Sequence, residues 1–135
     1  MSLKRIFVGS TVAVLGFALA ASTALASVGN QNPNLTVQLT ITPTVVTAPG
    51  QVTGYGTITN NTSKTNRVVA KVVIVSPSGV TTTYTEKYVI GGGQTVSETI
   101  PYEVAADAEK GVYTITLSAT DKAGTSSATE RLTVQ

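Results

Sequence analysis

The sequence predicts an all-β protein: a two-sheet antiparallel sandwich of about seven strands, preceded by an export signal. Three observations predict it. Hydrophobic residues recur with a period of two along segments of 8 to 11 residues, the pattern of strands buried on one face. Short turns rich in Gly, Pro and Asn separate these segments, with no helical pattern between them. Threonine supplies 22 of the 109 residues that follow position 26, and its β-branching suits a pleated surface.

The start of the chain has a different character. Lys4 and Arg5 precede an apolar run that begins at Ile6 and ends in Ala24-Leu25-Ala26. A cationic start, an apolar segment and an A-x-A exit together read as a secretory signal over residues 1–26, cleaved before Ser27. Retention as an uncleaved anchor is the rival reading, and the A-x-A exit argues against it. The expected location is therefore outside the cytoplasm, periplasmic or extracellular. No later stretch approaches the roughly 20 apolar residues that span a bilayer, so stable membrane insertion is not expected after cleavage. Residues 27–34 (SVGNQNPN) read as a flexible lead-in, and 35–135 as one domain.

Leu35–Thr42 alternates strictly, with Leu35, Val37, Leu39 and Ile41 on one face. Pro43 ends it, and Pro49-Gly50 makes the next turn. Gln51–Thr59 places Val52, Gly54, Gly56 and Ile58 on the inner face; its two glycines suggest a bulge or close approach of another backbone. Arg67–Ser76 is the most hydrophobic segment of the domain. Lys71 sets its phase, with Val68, Ala70, Val72 and Ile74 inward and Val69, Val73 and Val75 outward. Val80–Ile90 is threonine-rich and carries Tyr84 and Tyr88 on one side. Gln94–Val104 follows, with Val96, Ile100, Tyr102 and Val104 in one phase and Glu98 as the misfit. Residues 105–110 favour helix but suffice for only one turn. Val112–Thr120 and Thr125–Val134 form a final hairpin around Asp121–Gly124, with Gly124 suited to a left-handed position.

Several chemistries are excluded early. Beyond the leader, seven basic residues balance seven acidic ones, leaving no overall basic charge to hold nucleic acid. There is no cysteine, hence no disulfide and no thiol nucleophile, and no histidine to act as base or metal ligand. No cofactor and no metal are expected. Calcium needs about six oxygen ligands, and the acids are not clustered for it. An enzyme would need a cleft holding two of Glu86, Glu98 and Glu103, or a serine–lysine dyad, and no motif fixes either. Glu98 itself marks a bulge turning it outward, a pairing with Lys71 or Arg67, or a site.

Gly111-Val-Tyr113-Thr-Ile-Thr-Leu-Ser-Ala-Thr-Asp121-Lys-Ala-Gly124, followed by Leu132-Thr-Val134, resembles the final hairpin of bacterial immunoglobulin-like and fibronectin-type-III-like modules. Thr57-Ile-Thr-Asn60-Asn61 resembles their second strand, and the likeness extends over nearly all of 35–135. It implies an immunoglobulin-like sandwich, with Tyr113 at the place of a tyrosine corner. The cysteine pair and core tryptophan of antibody domains are missing.

The expected function is that of a secreted, non-catalytic binding or structural module, a monomer or weak oligomer. Its partner is an unspecified protein or a surface polysaccharide. Val69, Val73, Val75 and Tyr55 are the candidate interaction surface, provided that Val45-Val46 or the Tyr84/Tyr88 strand does not fold over the valines. The alternative is a small carbohydrate-binding module in which Tyr84 and Tyr88 stack on sugar rings; their other reading is as cover for the core edge. The outward threonine ladders are ordinary solvent-facing strand residues.

Overall fold

The structure, a computed structural model, describes residues 3–5, 27–28 and 32–135. The rest of the expected leader and lead-in lies outside the described residues. Seven long strands carry the fold: β3 (Leu35–Thr42), β5 (Gly50–Asn60), β6 (Asn66–Val75), β7 (Thr81–Ile90), β8 (Thr95–Val104), β9 (Gly111–Asp121) and β10 (Gly124–Val134). Each expected strand is present with its ends shifted by no more than one residue. Three short pieces join them: β1 (Leu3–Arg5), β2 (Ser27–Val28) and β4 (Val45–Val46).

The strands form two sheets, ordered β1-β8-β5-β3 and β2-β10-β9-β6-β7, with β4 added to β10. Alternation explains why they stack. Leu35, Val37, Leu39 and Ile41 of β3 are buried together with Val52, Ile58, Val96, Ile100 and Tyr102 of their own sheet. Val68, Ala70, Ile74, Tyr113, Ile115, Leu117 and Leu132 are buried from the other. Every second residue leaves water, and its neighbours along each strand stay in it.

β4 was not expected: in the sequence Pro43 ends the first strand, and Pro49-Gly50 is the next turn. After β3 the chain crosses to the other sheet, where Val45-Val46 runs parallel to Thr133-Val134. Thr133 N donates to Thr44 O (2.8 Å), Gln135 N to Val46 O (2.9 Å) and Ala48 N to Gln135 O (3.0 Å). The first strand is thus divided between the sheets.

Two local expectations are corrected. The β5 ladder is unbroken at its glycines: Gly54 lies between Ile41 and Ile100, and Gly56 between Leu39 and Glu98. There is no bulge, and what approaches is a side chain. A Cβ on Gly56 would stand 2.7 Å from Leu117 Cδ2 of the facing sheet. Glu98, likewise, is not turned outward by a bulge; it keeps the inward phase of β8.

The turns follow their chemistry. Gly124 adopts a φ of +142° at the end of the β9–β10 hairpin, a conformation that side chains rarely take. Residues 105–110 make one turn, closed by Ala108 N on Ala105 O. The Tyr113 hydroxyl donates to Glu109 O at 2.8 Å and ties this connection to β9. Among the described residues no helix is long and apolar enough to cross a membrane.

Candidate functional site

Most of the buried polar chemistry holds the scaffold together. Asn60, fully buried at the end of β5, donates from Nδ2 to Lys64 O, Ile90 O and Gly91 O, and accepts at Oδ1 from Thr62. It locks the β5–β6 turn to the β7–β8 turn. Ser126, also buried, receives Asn32 N (2.8 Å) and donates to Asn32 O and Leu35 O. The last residues of the lead-in are thereby fixed to β10.

Asp121 is the centre of the same end of the molecule. Its carboxylate accepts from Asn32 Nδ2 (2.7 Å), Asn34 Nδ2 (3.3 Å), Asn66 Nδ2 (2.9 Å) and Ala123 N (2.7 Å). Partial burial pushes its pKa up, but the bonds from Asn66, Ala123, Asn32 and Asn34 together outweigh that and hold it at about 2, below the ordinary 3.8. A depressed folded value means that the stabilisation is complete above about pH 5 and is lost as pH falls toward 2. After solvent screening it is on the order of 1 kcal/mol. Acid titration of unfolding free energy should show this loss, and Asp121→Asn should flatten the slope between pH 5 and 2. An unchanged slope would count against the assignment.

The mouth between the sheets, where β7 and β8 face each other, is the site closest to chemistry. Tyr84, Glu86 and Tyr88 of β7 share the inward phase with Ile90. The Tyr88 hydroxyl lies 3.2 Å from Glu86 Oε1 and 3.3 Å from Glu98 Oε1, donating toward both. Beneath them is a cavity of about 50 Å³, floored by Gly54, Gly56, Val72, Ile100 and Leu117. That volume admits a few water molecules and is far below the roughly 300 Å³ of small-molecule pockets. The arrangement brings together Glu86 and Glu98, the pair of carboxylates an enzyme would need out of the three, but over a cavity of only this size; Glu103 is on the outer face. Among the described residues no three or more potential metal-ligating side chains come together. Glu86 and Glu98, weighed in the sequence as members of one carboxylate set, meet here at the Tyr88 hydroxyl.

Tyr84 and Tyr88 are half-buried and pack against the core. Their rings lie between the sheets rather than on an outer face, as the reading of core-edge cover has it.

The outer faces carry the remaining candidates, and they separate them. Tyr55 is half-buried on the outside of the β3–β5–β8 sheet, between Thr40 and Thr99, its hydroxyl 3.5 Å from Ser97 Oγ. Val69, Val73 and Val75 are on the outside of the other sheet, so the four residues form no single surface. Among the described residues nothing folds over the valines. Val45-Val46 pairs with the end of β10, and β7 lies beside β6 in the same plane. Val69 is 37% exposed, while Val73 and Val75 are half-buried between threonines: Thr83 and Thr116 beside Val73, Thr81 and Thr114 beside Val75.

No family model and no curated protein sequence matches the chain. Solved structures do. The alkylpurine DNA glycosylase AlkC of Pseudomonas fluorescens, bound to DNA containing an abasic site analogue, matches with a TM-score of 0.62 at 11% identity over 78% of this chain. This chain spans 31% of that one. The C-terminal domain of Wzt gives 0.58 at 12% identity, covering 82% of this chain and 78% of that one. A CARDB domain from Pyrococcus furiosus, in complex with di-metal ions, gives 0.59 at 17% identity, covering 76% and 89%. The likeness is one of fold: an all-β, two-sheet sandwich.

Proposed function

We propose that the chain is a non-catalytic binding module working outside the cytoplasm and contacting its partner through an outer sheet face. One observation carries this reading. The buried Asn60 and Ser126 and the half-buried Asp121 are occupied in holding turns and the lead-in, and the mouth has too little volume for a substrate, whereas the valine-bearing face of β6 is uncovered by any described residue. Assignment to the immunoglobulin-like and fibronectin-type-III-like modules is supported by the strand order. Three long strands (β3, β5, β8) face four (β6, β7, β9, β10), and the first strand switches sheets at β4. Two of the similar structures are themselves separate domains of longer proteins. The leader supports export.

Val73→Glu tests it. The side chain points outward, half-buried between threonines. Thermal stability should therefore fall by no more than about 1 kcal/mol, the span of strand preferences, and well short of the cost of a charge placed in the core. Sedimentation of labelled protein with cells of the producing organism should lose the bound fraction in this variant and keep it in Tyr55→Ala on the opposite face. A larger loss of stability would make the valine stripe part of the core and remove the proposed surface.

A further inference from the structure

We propose that the outer face of the β6–β7–β9–β10 sheet binds an acidic polysaccharide. The proposal rests on the binding-module reading and names its ligand class. Four of the seven basic residues beyond the leader, Arg67, Lys71, Lys87 and Arg131, are exposed and turn out from this face. No acid shares it. Glu86 and Glu98 point into the mouth, Glu130 is buried, Glu103 is on the opposite sheet, and Asp107, Glu109 and Asp121 are at the strand ends or connections. A domain whose charges balance overall is therefore strongly one-sided.

The cations are grouped. Lys87 stands directly opposite Val69, and Arg67 and Lys71 flank Val69 on the same strand. Diagonal neighbours across a strand pair are roughly 7–8 Å apart, so Lys87 is within that distance class of both Arg67 and Lys71, with no acid between them. That spacing is about one Debye length at physiological salt, so their fields add. Protection of an exposed strand edge accounts for Lys87 on β7 but not for Lys71 on β6, which is paired on both sides there. A polyanion laid across the face removes the repulsion. Arg131 is three strands from Lys87 at the opposite corner, on the order of 25 Å away by strand and sheet spacing. That span suits an extended chain better than a compact anion.

The rest of the face fits a glycan. Across the rows of Val69 to Val75, every outward position on β7, β9 and β10 other than Lys87 and Arg131 is threonine or serine. These hydroxyls both donate and accept, as sugar hydroxyls do. Among the described residues no aromatic side chain stands on the face to anchor a protein partner.

Affinity electrophoresis in gels cast with polygalacturonate, and with dextran as the neutral control, decides the matter. The wild type should be retarded by polygalacturonate alone, several-fold less as sodium chloride is raised. Lys71→Gln combined with Lys87→Gln should weaken retardation about tenfold, with the melting temperature kept. Absence of retardation, identical retardation of the double variant, or equal binding to phosphatidylglycerol vesicles or single-stranded DNA would overturn the proposal. If polygalacturonate fails while the cell binding abolished by Val73→Glu persists, this inference falls and the binding-module reading stands. If both are absent, both fall.

Discussion

Replacing Asn60 by Ala is expected to cost about 3 kcal/mol of folding stability, several times the effect of an ordinary surface polar substitution. The amide donates to three backbone carbonyls at 2.8, 2.9 and 3.1 Å, and its oxygen accepts from Thr62 N at 3.0 Å and Thr62 Oγ1 at 2.7 Å. No water reaches the side chain to replace them, because the residue is fully buried. The buried carbonyl of Ile90 and the part-buried one of Gly91 would lose a donor, and the cost includes that of desolvated groups rather than of the bonds alone. Asn60→Asp gives a sharper version. It keeps the acceptor toward Thr62 but turns an anionic oxygen toward three carbonyls, so at pH 7 it should cost at least as much. Part of that loss should be recovered as pH falls and the carboxyl protonates. Urea denaturation at constant m-value measures both variants, and a loss under about 1 kcal/mol for Ala would show that the network is dispensable.

Glu130→Met should have the opposite sign and raise stability by about 2 kcal/mol. Glu130 is inward on β10, opposite Ile115 and two residues from both Ala128 and Leu132 on its own strand. It is 7% exposed, and its Oε2 has no hydrogen-bond partner among the described residues. Among the described residues Oε1 receives only a long contact from Arg131 N at 3.4 Å. A desolvated oxygen without a partner is unfavourable, and a methionine of similar volume adapts to the same space. Glu130→Gln keeps the shape and removes the possible charge, so its gain should be smaller. Thermal melts of the three proteins give the order, and destabilisation by Met would mean that the carboxyl does work in the fold.

Period-two alternation made the seven long strands and their inward residues legible, because each strand buries one face only. It fails where its premises fail. Two residues at Val45-Val46 cannot display a period, so the crossing of the first strand to the other sheet was invisible. Alternation also says inward or outward without saying from which sheet, and so Tyr55 was grouped with Val69, Val73 and Val75 across the thickness of the sandwich. In β7, threonine occupies both phases at Thr81, Thr82 and Thr83, which hid the inward orientation of Glu86. Glu98 read as a misfit because an acid on an inward face conflicts with burial. The resolution is three-dimensional: it sits beside Gly56, at the mouth, within reach of the Tyr88 hydroxyl from the other sheet. The role of Asn60 was hidden because the two partners that tie it to the β7–β8 turn, Ile90 O and Gly91 O, are about 30 positions away along the chain.

The unequal distribution of charge between the two outer faces gives the molecule an electric dipole across its thickness. Near any negatively charged layer such a body is turned before it touches, and it arrives with the β6 side down. The Tyr55 side then looks away from the layer, patterned with threonine and bearing Glu103 but no cation among its described outward side chains. A module that lands in one orientation displays the same upper surface every time. A population bound in this way is an ordered coat with a uniform second surface.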